Sequence, residues 1–143
     1  MNFNEVLEDL IIEKNLSLRQ LAKESEVSAM CYSKYLNDSI PNVKNAVKIA
    51  NYFKCSLDYL FGLSEERCCN FKNQYDISLF LERYNKVLTK NNITHWKFCK
   101  KFVLNESLLR HWENGDIPSI STLIVIATNL SVSIDYLVGR VDR

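Results

Sequence analysis

Ser56-Leu57-Asp58-Tyr59-Leu60-Phe61-Gly62 and Ser133-Ile134-Asp135-Tyr136-Leu137-Val138-Gly139 are two versions of one heptapeptide, 77 residues apart. Sliding the chain by that offset aligns Phe3–Gly62 on Phe80–Gly139 without a gap. Ile40-Pro41 falls on Ile117-Pro118, and Ile49-Ala50 on Ile126-Ala127. Apolar positions between these anchors also correspond: Leu10 with Val87, Leu21 with Phe98, Val27 with Leu104, Tyr35 with Trp112. Chance does not readily match apolar pattern, turns and ends together over such a length, so the chain reads as two copies of one unit.

Each unit reads as five short helices. Val6, Leu7, Leu10 and Ile11 form the i, i+3, i+4 stripe of an amphipathic helix. Ser17 is suited to cap a helix carrying Leu18, Leu21 and Ala22, and Ser28 to cap the next, with Cys31, Tyr32 and Tyr35. Beyond the Pro41 turn, Val43, Ala46, Val47 and Ala50 mark a fourth helix. Ser56 opens a fifth that stops at Gly62. Thr94, Asn105 and Ser133 take the cap positions in the second copy. No strand alternation occurs, so the expected class is all-α, with units at 1–64 and 78–143 and a connector at 65–77. Leu21, Val27, Ile49 and Leu60, with Phe98, Leu104, Ile126 and Leu137, are expected core positions. Units of about 60 residues sit near the lower limit for an independent core, so they are expected to lean on each other or on a partner chain.

Composition narrows the class. Of 143 residues, 47% are hydrophobic and 24% charged, the balance of a folded soluble chain. Three Gly and two Pro are too few for turn-rich β architectures. The acidic start MNFNEVLEDLIIEKN is not that of a signal peptide. Polar residues from Thr128 to Asp135 interrupt the apolar stretch Leu123–Val138, so no membrane span is expected and the chain reads as cytoplasmic. Five cysteines without C-x-x-C spacing argue against a disulfide framework or zinc finger. Cys31, Cys55 and Cys99 fall in helical patterns, where a reduced Cys acts as a small apolar residue. The adjacent Cys68 and Cys69 lie between the patterned halves, with no second ligand cluster nearby for a metal.

No phosphate loop, nucleophile elbow or carboxylate pair is present, so neither an enzyme nor a cofactor is expected. His111-Trp112-Glu113 matches only the H-x-E half of a zinc deaminase signature. His95 and Cys99, at i and i+4, make no closed metal site; Cys99 is expected to pack inside and His95 to face water. Charge divides unevenly. Residues 1–66 hold seven Lys/Arg against ten Asp/Glu, a net of −3, while residues 67–143 hold eleven against seven, a net of +4.

A helix capped by Ser17, a tight break at Ser25–Val27 and a second helix capped by Ser28 make a helix-turn-helix pattern. In such a pattern one helix crosses the DNA backbone and the next offers its N-terminal outward residues to the major groove. Ala22 and Cys99 supply the small residue needed where the two helices cross. The sequence resembles the phage-repressor-like (XRE-type) helix-turn-helix family. In the first unit the resemblance runs through SLRQLAKESEVS (17–28), YSKYLNDSIPNVKNAVKIANYF (32–53) and CSLDYLFG (55–62). In the second it runs through HWENGDIPSISTLIVIATNL (111–130) and VSIDYLVG (132–139).

That resemblance implies operator DNA as partner, bound by a homodimer that regulates transcription, most simply as a repressor. It implies base-reading positions at Ala29, Met30, Ser33 and Lys34 in the first unit, and at Glu106, Ser107, Arg110 and His111 in the second. Phosphate contacts are implied at the helix starts near Ser17 and Thr94, and at Asn37, Lys44 and Asn114. There are departures. Leu18 and His95 replace the family's common Gln, and Glu26 and Val103 stand where Gly often occupies the turn. Val is disfavoured at positive φ, which predicts a reshaped second turn. Ala29 and Met30 can offer bases only apolar contact. Lys97, Lys100, Lys101 and Arg110 favour DNA for the second unit. The acidic first unit also fits an interaction module, antitoxin-like or a phage-encoded inhibitor, that binds another protein or pairs two chains.

Overall fold

Short side chains that accept a hydrogen bond from the amide three residues on open most of the helices. Ser17 accepts from Gln20 N at 3.1 Å, Ser28 from Cys31 N at 3.1 Å and Ser56 from Tyr59 N at 3.0 Å. Thr94 accepts from Lys97 N at 3.2 Å and Ser133 from Tyr136 N at 2.9 Å. These caps sit where the sequence places them. The computed structural model describes residues 2–67 and 74–142, and Cys68 and Cys69 lie outside them.

The fold is all-α; among the described residues there is no strand. The chain divides into two compact units, Met1–Asn73 and Gln74–Arg143. The first contains α1 (Phe3–Lys14), α2 (Leu18–Ser25), α3 (Ala29–Leu36), α4 (Val43–Phe53) and α5 (Leu57–Leu60). A 3-10 turn at Ile77–Leu79 leads into α6 (Phe80–Lys90) of the second, followed by α7 (His95–Phe102), α8 (Leu108–Glu113), α9 (Ile120–Leu130) and α10 (Ile134–Leu137). With a shift of 77 residues, the bounds of α7, α9 and α10 coincide with those of α2, α4 and α5. No helix among the described residues is long and apolar enough to cross a membrane.

Each unit closes around an aromatic contact at one aligned pair. Phe3 meets the edge of Tyr35 at 5.9 Å in the first, and Phe80 meets Trp112 edge-on at 5.0 Å in the second. Leu21, Val27, Ile49 and Leu60 are buried, as are Phe98, Ile126 and Leu137. Leu104, expected in the core, is only half-buried, and Cys55 is buried in the loop before α5, outside any helix.

Hydrogen bonds tie both edges of the expected connector to a unit. Arg67 grips both carboxylate oxygens of Glu13, at 2.9 and 2.8 Å, and donates to Phe53 O, while its own carbonyl accepts from Ser56 N. Asp76 N donates to Val138 O at 2.8 Å. Gly139, at φ 83°, packs so closely there that a Cβ would lie 2.8 Å from the Asp76 nitrogen. Arg83 donates to the carbonyls of Tyr136 and Val141, fastening α6 to the C-terminal segment.

Candidate nucleic-acid interface

In the first unit α2 ends because Glu26 turns left-handed, at φ 62° and ψ 28°, and its amide returns to Ala22 O. Lys48 Nζ donates to Glu26 O at 3.3 Å, holding that turn against α4. Val27 is buried beneath it, and Ser28 starts α3. A buried chain then locks the two helices together: Tyr32 OH donates to Ser25 Oγ at 2.6 Å, and Ser25 Oγ donates to Leu21 O at 2.8 Å. Burial pushes the Tyr32 phenol up to about 12, which keeps its proton in that chain.

With Tyr32 and Tyr35 turned inward, α3 must offer its other side to solvent. Met30, Ser33, Lys34 and Asn37 are exposed at i, i+3, i+4 and i+7, one continuous stripe; Ala29 is half-buried at its start. Asn37 folds back, its Nδ2 donating to Ser33 O at 2.8 Å. Ser17 and Lys44 are exposed in the first turns, or at the caps, of α2 and α4. All seven expected residues of this unit thus lie at or near the outward side of the α2–α3 pair and its following loop.

The second unit differs at three places. Its turn is not reshaped: Val103 adopts φ 56° and ψ 50°, the left-handed form Glu26 takes, with its side chain 90% exposed. The Cys99 carbonyl, hydrogen-bonded to the Val103 and Leu104 amides, enforces this geometry in spite of the β-branch. Next, Asn105 does not cap a helix three residues on. Its Oδ1 accepts from Ser107 N at 2.9 Å, and Leu108 N reaches Asn105 O, so a tight turn replaces the first helical residues. Glu106 and Ser107 therefore stand in a turn, and α8 begins two residues later than the repeat implies.

Third, His95 is half-buried and turned towards its own unit. Its Nδ1 lies 2.6 Å from Tyr84 OH and its Nε2 3.1 Å from Glu106 O, with Cys99 Sγ 3.4 Å from Nε2. The ring also meets Tyr84 and Trp112 edge-on. Burial pushes the Tyr84 phenol well above its ordinary value and the Cys99 thiol upward, so both keep their protons near neutral pH.

Among the expected residues of this unit, Glu106, Arg110, His111 and Asn114 are exposed and Ser107 is half-buried. Arg110 takes part in no ion pair among the described residues. His111 is already engaged, its Nδ1 3.1 Å from Asp116 Oδ2. Asn114 terminates α8, and Thr94 caps α7. Beside them α7 exposes Trp96, Lys97, Lys100 and Lys101, with Lys100 Nζ 4.9 Å from the Trp96 ring centre. Trp96 was not anticipated as part of this surface. It falls at the position of the exposed Arg19, and that alignment is the signal that could have placed it at the surface.

A helix, a left-handed turn and a second helix, tied by the buried Tyr32–Ser25 hydrogen bond, make a helix-turn-helix arrangement. Residues 7–60 match the helix-turn-helix family. The match takes in α2, the Glu26 turn and α3, and stops within the first unit. No curated protein and no solved structure matches the chain.

Proposed function

We propose that this protein is a sequence-specific, double-stranded-DNA-binding transcriptional regulator, a repressor, built of two tandem helix-turn-helix modules. The modules span 1–64 and 78–143, joined by 65–77, and the protein works as a homodimer in the cytoplasm. The observation that carries the reading is the outward stripe of α3, which falls within the stretch 7–60 that matches the helix-turn-helix family. Such a stripe is the face that enters a major groove, while the helix starts at Ser17 and Thr94 approach phosphates.

The two modules divide the work. The second lies in the half of the chain, residues 67–143, that carries the net +4, with Lys97, Lys100 and Lys101 exposed on α7 and Arg110 exposed on α8. Neutralised phosphates supply most of the sequence-independent affinity, and Arg is the side chain best matched to guanine. The first lies in the half, residues 1–66, that is net −3, and begins its stripe with Ala29 and Met30. On α1 it exposes Glu5, Glu8, Asp9 and Glu13, carboxylates that repel a phosphate backbone. These observations favour a second role for it, pairing with another protein chain.

Selection of bound fragments from genomic DNA by the full chain, at two salt concentrations, tests the reading. A common sequence should emerge at both, with affinity falling steeply as salt rises. Fragments bound without a shared sequence, or no binding at low salt, would refute it.

A further inference from the structure

Glu106 O, at the start of the second recognition turn, can only accept hydrogen bonds, so the His95 nitrogen facing it must carry the proton. In a neutral ring His95 Nδ1 is then the acceptor, and Tyr84 OH donates to it. The imidazole is thereby fixed in one tautomer between α6 and the turn before α8, with both nitrogens used. In a helix begun at Glu106 that carbonyl would accept from the Arg110 amide. His95 competes for it from the side.

The first unit serves as an internal control. At the four aligned positions it carries Leu7, Leu18, Ala22 and Ala29 in place of Tyr84, His95, Cys99 and Glu106. There nothing polar reaches across, Ser28 caps in the ordinary way, and α3 starts at Ala29. In the second unit the equivalent of Ala29 lies in a turn, and the helix starts at Leu108. The late start changes which side chains face outward: Ser107 is half-buried, whereas its counterpart Met30 is exposed.

We propose that His95 is a positioning residue that sets where α8 begins, and through it which side chains the second module presents to DNA. It acts through Glu106 O and touches no base itself. The DNA half of this inference rests on the proposed function; the structural half does not.

The test uses the full chain with His95→Leu, the residue the first unit has, His95→Gln, and Tyr84→Phe. In His95→Leu, the Cα chemical shifts of Glu106 and Ser107 should move to helical values and the selected DNA sequence should change. Affinity for the wild-type site should drop by about tenfold, the scale of one lost base contact. His95→Gln keeps a donor for Glu106 O and an acceptor for Tyr84, and should restore both the shifts and the selected sequence. A folded His95→Leu protein with wild-type shifts at 106 and 107 and an unchanged selected sequence overturns the inference. Should His95→Leu fail to fold, Tyr84→Phe carries the test, since it frees the ring on one side: shifts moving part-way towards helical support the role, and unmoved shifts overturn it. If the wild-type chain selects no sequence at all, the proposed function fails, and the shifts alone decide the role of His95.

Discussion

Arg140 Nη1 donates to Asp135 Oδ1 at 2.6 Å, and neither side chain reaches solvent. Arg is among the residues least often fully buried, and the first unit has Leu63 at the aligned position. Removing one member of a buried ion pair is strongly destabilising. Asp135→Ala should therefore destabilise the second unit by about 3–5 kcal/mol in denaturant titrations. A cost under 1 kcal/mol would show that other groups satisfy the guanidinium.

Val103 is the converse case, a strained residue with nothing to lose. An L-residue with Cβ spends about 1–2 kcal/mol in the left-handed region, whereas Gly spends only chain entropy. With its side chain exposed, removal forfeits no packing. Val103→Gly should raise stability by about 0.5–1 kcal/mol, read as a higher Tm. Glu26→Gly should gain less, because an unbranched residue is strained less there.

Leu60 and Leu137 occupy aligned, fully buried positions in α5 and α10. Truncating either to Ala should cost about 2–5 kcal/mol. An unchanged Tm in both variants would mean that neither terminal helix packs as found.

Alkaline pH should weaken the fold through Tyr32. Burial raises its pKa from 10.0 to about 12, so the folded chain keeps a proton that the unfolded chain has released. Its contribution is whole below pH 10 and is lost as pH climbs towards 12. Stability should fall by about 2 kcal/mol over that window, and less steeply in Tyr32→Phe.

For DNA, Arg110→Ala should lower specific binding by about 1–3 kcal/mol and relax the preference at one base position. Lys34→Ala should do less, given the acidic surroundings of the first unit. Abolished binding in Lys34→Ala, with Arg110→Ala unaffected, would reverse the roles assigned to the modules.

Local chemistry made much of this legible in the sequence. The starts of α2, α3, α5, α7 and α10 follow from Ser and Thr caps, and the ends of α5 and α10 from Gly62 and Gly139, because each needs only neighbours a few residues away. What escaped depends on distant partners. The late start of α8 involves His95, 11 residues away, and its bond to Glu106 O; no spacing rule foretells that a histidine turns inward to meet Tyr84. The burial of Arg140 likewise runs against its residue type. Val103 shows the opposite failure: the residue type argued against the turn, and backbone hydrogen bonding to Cys99 O prevailed.

The clasp between Asp76 and Val138, closed over Gly139, brings the two ends of the second unit side by side. A body whose chain enters and leaves at one point behaves as a cassette: it can be spliced into a surface loop of another protein without stretching either junction. By the same geometry its old ends can be joined by a short linker and new ones opened elsewhere. The clasp also makes residue 139 unforgiving to such engineering, since any side chain there would push the entering strand of backbone away and unlatch the cassette.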